Sequence, residues 1–75
     1  MINVKVRLFA NLRDNREKEM KISTKKEAIV LDIVNDLKIS PKDAAIILIN
    51  GRKADINTSL EDNDILSIFP PIGGG

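Results

Sequence analysis

The chain has 75 residues, enough for one small domain, and its 43% hydrophobic and 31% charged residues are typical of a globular protein. Twelve lysines and arginines oppose eleven aspartates and glutamates, and no run of one sign is long enough to attract a polyanion such as nucleic acid. Cysteine and histidine are both absent, which excludes disulfides, thiolate nucleophiles, zinc centres and the commonest general base. We therefore expect neither a metal site nor a self-contained active site.

The apolar segments are all short. None approaches the roughly 18 residues that a membrane span requires, and no basic segment precedes a long apolar run. We therefore expect a cytoplasmic protein with no membrane partner, which is monomeric when alone.

Two strands are predicted at the beginning of the chain. Apolar and polar residues alternate from Ile2 to Leu8, the period of two that a half-buried strand shows, and Phe9 falls on the polar side. A polar segment, 11–18, predicts a loop, and alternation resumes at Met20 and Ile22. These two strands are expected to form a hairpin.

A helix is predicted next. Residues 24–27 (Thr-Lys-Lys-Glu) have the spacing of a capping box, so we expect the helix to begin there. Apolar residues then recur at helical spacing at Ile29, Val30, Ile33, Val34 and Leu37. Because Ser40 precedes a proline and is thereby biased away from helical geometry, the helix should end near Lys38.

The second half of the chain predicts three further strands. A continuous apolar run from Ala44 to Ile49 is followed by Asn50-Gly51, a strong hairpin-turn signal, and then by a short strand. A polar turn at 61–64 precedes the last strand, Ile65–Phe69, which two prolines end. One amphipathic helix packed on one face of a mixed sheet, an α+β arrangement, fits this order of elements.

The last four residues, Ile72-Gly73-Gly74-Gly75, are expected to form a flexible tail after a domain that spans residues 1–71. At about 3.3 Å per extended residue, this tail would carry its carboxylate about 13 Å beyond the last strand. A free carboxylate must be activated before it can react, for example by attack on the α-phosphate of ATP. Because the chain has no phosphate-binding loop, that step would require a separate enzyme. Glycine-rich ends also occur as frayed termini, and the tail alone leaves that interpretation open.

Three segments together resemble the MoaD/ThiS family of ubiquitin-like sulfur carriers, over essentially the whole chain. These segments are Phe9-Ala10-Asn11-Leu12-Arg13, Leu60-Glu61-Asp62-Asn63-Asp64 and Phe69-Pro70-Pro71-Ile72-Gly73-Gly74-Gly75. The similarity is greater to the molybdopterin synthase small subunit than to the thiamin carrier. Two positions depart from the family pattern: Asn63 replaces a common glycine, in a turn that asparagine tolerates, and Gly73 adds flexibility before the final glycine pair.

The resemblance implies a β-grasp fold in which the first and last strands are parallel and central. Phe9 and Phe69 would then emerge on the open face of the sheet, near the end where the tail begins. The expected partner-binding residues are Phe9, Leu60, Phe69, Pro70, Pro71, Ile72 and Gly73. Alternatively, the two phenylalanines simply cover the end of the core.

The resemblance also implies a function. An E1-like (MoeB-type) enzyme would use ATP to adenylate Gly75, which follows Gly74, and a sulfur donor would convert the adenylate to a thiocarboxylate. A MoaE-like large subunit would then use that sulfur to make molybdopterin, and the chain itself would bind no cofactor. Alternatives are a modifier that is conjugated to lysines through Gly75, a carrier for thiamin or tRNA thiolation, and a plain interaction domain. Asp55, Asp62 and Asp64 suggest a cation site, but their expected positions in turns favour capping roles.

Overall fold

The computed structural model describes residues 1–71, and the predicted tail at 72–75 lies outside the described residues. The strands are β1 (Ile2–Leu8), β2 (Glu19–Thr24), β3 (Ile46–Ile49), β4 (Arg52–Ala54) and β5 (Ile65–Phe69). The helix α1 spans Val30–Asp36, and short 3₁₀ helices span Ala10–Arg13 and Pro41–Asp43. None of the helices in residues 1–71 has the length and apolarity needed to cross a membrane.

All five strands join one mixed sheet in the order β2-β1-β5-β3-β4. β1 and β5 are parallel neighbours at the centre, with Val6 opposite Leu66 and Leu8 opposite Ile68. β1 and β2 form the predicted antiparallel hairpin, and β3 is antiparallel to both of its neighbours. The predicted α+β, β-grasp architecture, with its central parallel pair, is confirmed.

The core lies between α1 and the face of the sheet that the helix covers. Its largest fully buried side chains come from the two central strands and the helix: Val4, Val6, Leu8, Val30, Ile33, Val34, Leu66 and Ile68. Burying each such aliphatic side chain contributes about 1.5–3 kcal/mol, so a domain this small depends on nearly every one of them.

The start of α1 differs from the prediction. β2 continues to Thr24, which pairs with Ile2 and is buried, so Thr24 is part of the sheet rather than a helix cap. The helix begins at Val30, and the carboxylate of Asp32 accepts a hydrogen bond from the Ile29 backbone N–H at 2.9 Å. The prediction was wrong because an extra rung of strand pairing satisfies the backbone at Thr24 better than a local cap would.

The end of α1 agrees with the prediction to within two residues. Lys38 has a left-handed backbone (φ 60°) and donates its N–H to the Asn35 carbonyl, while Ile39 donates to the Val34 carbonyl. This is the Schellman pattern, in which the last free carbonyls of a helix are satisfied by the residues that follow it. Ile39 is thereby turned into the core, where it is only 4% exposed.

Polar side chains fix the turns at one end of the sheet. Asn50 and Gly51 both have positive φ, at 53° and 82°, as the predicted two-residue hairpin turn requires. Asn63 is likewise left-handed, at 71°, so asparagine does support this turn. The Asp64 carboxylate is buried and accepts hydrogen bonds from the Glu61 backbone N–H at 2.8 Å and the Asn50 amide at 3.0 Å.

The aspartates considered as cation ligands have the capping roles favoured by the sequence. Asp62 accepts from the Asn3 backbone N–H, and Asp55 accepts from the Asn57 backbone N–H, both at 2.8 Å. Within residues 1–71, no group of three or more acidic side chains is placed to hold a metal ion. These carboxylates therefore satisfy orphaned backbone donors of loops.

Replacing Asp32 by alanine removes the acceptor for the Ile29 N–H and the negative charge at the helix start. We expect Asp32→Ala to lower the free energy of unfolding by about 1 kcal/mol, or about 4–8 °C in melting temperature. Glu27→Ala, at the acid of the discarded capping box, should change stability by less than about 0.5 kcal/mol. Thermal unfolding of both variants checks this, and a greater loss for Glu27→Ala would contradict the assigned cap.

Candidate functional site

Phe9 and Phe69 meet on the face of the sheet that the helix leaves open. Phe9 directly follows β1, Phe69 ends β5, and the parallel pairing of these strands places the two residues at the same end of the sheet. The ring centroids are 4.2 Å apart and the ring planes differ by 10°, so the rings are stacked. Both side chains are half-buried. The predicted convergence of the two phenylalanines is confirmed.

Ile46 extends this apolar surface and was not among the predicted site residues. It lies opposite Phe69 in the antiparallel β3–β5 pair and is 41% exposed, whereas its neighbour Ile47 points into the core. The continuous apolar run that contains Ile46 gives no alternation from which its face could be inferred. We call Phe9, Phe69 and Ile46 the aromatic patch.

Leu60 does not belong to this surface, so its predicted role in partner binding is corrected. Its side chain is 3% exposed and is part of the core. Its backbone N–H bonds to the Ala28 carbonyl at 2.9 Å, next to the isolated bridge between Ile29 and Ser59. These contacts hold the segment against the start of the helix, on the other side of the sheet from the aromatic patch.

The chain leaves the sheet directly at the aromatic patch. The Phe69 carbonyl accepts a hydrogen bond from the Ala45 N–H at 3.0 Å, which anchors the end of β5. Pro70 is half-buried and Pro71 is exposed, and neither can donate to a strand ladder. The predicted site residues Ile72, Gly73, Gly74 and Gly75 lie outside the described residues, so their roles stay predictions.

Arg13 adds a cation to the aromatic patch. It closes the 3₁₀ helix after Phe9, and its guanidinium carbon lies 5.4 Å from the centre of the Phe9 ring. Its Nε donates a hydrogen bond to the Leu8 carbonyl at 2.8 Å. The Phe9 ring therefore contacts both the Phe69 ring and the Arg13 guanidinium. The sequence placed Arg13 in a family motif but assigned it no role.

The side chains of the site are apolar and aromatic, with one cation beside them. The chain has no histidine or cysteine, and the patch consists of apolar side chains next to arginine. Aromatic residues and arginine are the residue types most enriched in the energetically important centres of protein interfaces. The geometry therefore places an apolar surface with an adjacent arginine where the chain leaves the last strand.

The comparisons with solved structures return proteins of the same length and fold. Small archaeal modifier protein 1 of Methanosarcina acetivorans is 32% identical, with 100% of this chain and 98% of that chain covered and a TM-score of 0.70. A protein of Pyrococcus furiosus assigned as molybdopterin converting factor subunit 1 is 27% identical, with 96% and 100% covered and a TM-score of 0.76.

A third structure is a complex of subunits 1 and 2 of the molybdopterin-converting factor of Helicobacter pylori 26695. Its matching chain is 26% identical, with 99% of this chain and 100% of that chain covered and a TM-score of 0.66. No curated protein sequence matches significantly.

The sequence model of the ThiS family matches residues 6–75, which include both phenylalanines, Arg13 and the terminal glycines. The fold is accordingly the one shared by ubiquitin-like sulfur carriers and small archaeal modifiers. By this match over nearly its whole length, the chain belongs to the ThiS family.

Proposed function

We propose that this protein is a sulfur carrier whose reactive group is the carboxylate of Gly75, and that it serves molybdopterin biosynthesis. The observation that carries the proposal is the position of the chain's exit from the sheet. The last strand ends at Phe69, inside the aromatic patch, so a partner docked on the patch would be next to the segment that carries Gly75. The family match, which extends to residue 75, supports a role for that segment.

The chemistry begins with activation by a separate, E1-like enzyme. The Gly75 carboxylate attacks the α-phosphate of ATP, pyrophosphate leaves, and an acyl-adenylate forms. Sulfide from a sulfur donor then attacks the acyl carbon and AMP leaves, so that a C–S bond replaces the C–O bond to the phosphate and a thiocarboxylate results. None of these steps needs an acid, base or nucleophile from the side chains of this chain, in keeping with its lack of histidine and cysteine.

The proposed acceptor of the sulfur lies on a molybdopterin synthase large subunit of the MoaE type. The H. pylori structure, in which a similar small subunit is paired with subunit 2, supports such a partner. The aromatic patch is the docking surface we assign to it, since its half-buried aromatic rings still have apolar area that a partner's pocket can bury. In this scheme the chain is both subunit and cosubstrate.

A second candidate function is protein modification. The 32% identity with an archaeal modifier protein favours it, and the activation step would be the same. A lysine amine of a target protein would then displace AMP and form an isopeptide bond to Gly75. Higher-mass adducts in cells that vanish when Gly74 and Gly75 are deleted would favour modification, whereas loss of molybdopterin without adducts would favour sulfur transfer.

Activation can be followed by intact-mass spectrometry of the protein incubated with an E1-like enzyme, ATP and a sulfur source. We expect the full chain to gain the difference in mass between one sulfur and one oxygen atom. A variant without Gly74 and Gly75 should gain nothing. An unchanged mass for the full chain, in a reaction that charges a related carrier, would contradict the proposal.

The docking role of the aromatic patch is tested by placing a charge in it. Phe9→Glu should weaken binding to the large subunit by at least about 100-fold, because the apolar ring is lost and a carboxylate, with only Arg13 nearby to pair with it, would have to be desolvated in the interface. Its fold should persist, since the Phe9 ring lies outside the main core. Titration calorimetry and thermal unfolding measure the two effects.

Lys21→Gln is the matched control for Phe9→Glu. It changes the net charge by the same amount on the same open face, but it lies on the edge strand β2, opposite Lys5 in the middle of β1, and away from Phe9. Binding within about twofold of the wild-type value is expected for this variant. If Phe9→Glu were folded and bound equally well, the docking surface would be wrongly placed.

A further inference from the structure

A small cleft opens beside Phe9 at the edge of the aromatic patch. Its volume is about 200 Å³, and it is lined by Arg7, Leu8, Phe9, Arg13, Lys18 and Glu19. Three of these six side chains are cations and one is a carboxylate. The cleft therefore has an excess of positive charge, although the chain as a whole is almost neutral.

The single carboxylate in the cleft is already engaged. Glu19 accepts a hydrogen bond from the Arg7 Nε at 3.2 Å, and its other oxygen lies 3.9 Å from the Lys5 ammonium. Its charge is thus shared between two cations of β1. The excess positive charge of the cleft therefore comes from Arg13 and Lys18.

The Arg13 guanidinium is held in place before any partner arrives. Its Nε donates to the Leu8 carbonyl, and its plane is supported by the Phe9 ring, so little side-chain freedom remains to be lost on binding. Among residues 1–71, neither of its terminal nitrogens has a hydrogen-bond acceptor. A guanidinium positioned in this way presents two parallel N–H donors, the geometry that matches a carboxylate.

Arg16 shows what a purely structural arginine looks like in the same segment. All three of its guanidinium nitrogens donate to backbone carbonyls, those of Leu12, Leu37 and Lys38. It thereby ties the 3₁₀ helix to the end of α1. Within residues 1–71, Arg13 uses only one guanidinium nitrogen in such a hydrogen bond, so the other two are available to a ligand.

We propose that Arg13 binds a carboxylate side chain, Asp or Glu, of the protein that docks on the aromatic patch. The inference rests on the proposed function, because it assumes that a partner docks there, and it adds the chemistry by which that partner is selected. Charge complementarity indicates a carboxylate ligand, because the positively charged cleft has room for one compact anion. The engaged Glu19 and the near-neutral surface disfavour a polyanion such as nucleic acid.

The test compares Arg13→Gln with Lys26→Gln in binding to the molybdopterin synthase large subunit, measured by surface plasmon resonance with the full chain. Both variants lose one positive charge, but Lys26 is exposed in the turn before α1, away from the cleft. We expect Arg13→Gln to weaken binding at least about tenfold, mainly through faster dissociation, since a paired charge at an interface controls dissociation. Lys26→Gln should stay within about twofold.

The Arg13→Lys variant distinguishes a two-bond arginine–carboxylate pair from non-specific electrostatic attraction. It keeps the charge but loses the planar double donor, so we expect binding about threefold or more weaker than wild type. It also remains informative if Arg13→Gln lowers the melting temperature. Equal effects of Arg13→Gln and Lys26→Gln, or unchanged binding of Arg13→Lys, would overturn the carboxylate contact alone. A wild-type chain that binds neither the large subunit nor the E1-like enzyme would overturn the proposed function, and this inference with it.

Discussion

The parallel pairing of β1 with β5 is the constraint on which both the core and the aromatic patch depend. These strands are far apart in sequence, and a parallel pair cannot be closed by a short turn, so the intervening hairpin, helix and connections are packed around it. Residues of alternate parity then face opposite sides: Leu8 and Ile68 enter the core, and Phe9 and Phe69, one position later, reach the open face. The register of the β1–β5 pair therefore determines which residues face the core and which lie on the open face of the sheet.

Charged side chains hold the framework together more than they serve chemistry. Asp64 and Asp32 accept backbone N–H groups that a turn and a helix start leave without partners, and Arg16 covers carbonyls at the end of α1. A chain of 75 residues has few strands or helices in which to satisfy its backbone, so side chains take over this task. Arg13 differs from these framework residues, because its two terminal nitrogens have no acceptor within residues 1–71.

Under the proposed function, this division of roles would let the domain take part in a reaction without supplying side-chain chemistry of its own. The sheet supplies the proposed docking surface and anchors the chain at Phe69, while the proposed reactive carboxylate is that of Gly75. The partner would provide the active site. The carrier would provide the surface that the partner binds and the C-terminal segment that enters the partner's active site. Tight recognition at the patch would offset the entropy of ordering a short glycine segment in the partner.

Much of the fold was predictable because its signals are local. The alternation of Ile2–Leu8, the turn at Asn50-Gly51 and the strand that ends before two prolines each depend on residues close together in sequence. The start of α1 was mispredicted because the cap signal at Thr24 competes with strand pairing to Ile2, a contact between residues distant in sequence. Leu60 was misplaced for a similar reason: its burial depends on Ala28, not on its neighbours.

By itself, the sequence determined the order of elements, the absence of histidine and cysteine, and the identity of the two aromatic residues that meet. Only the tertiary structure decided that Ile46 joins them, that Leu60 does not, and that Arg13 lies over Phe9 with two terminal nitrogens that have no acceptor within residues 1–71. The physical reason is that composition and periodicity are properties of neighbours along the chain. Exposure and contact are set instead by which distant strand each residue lies against.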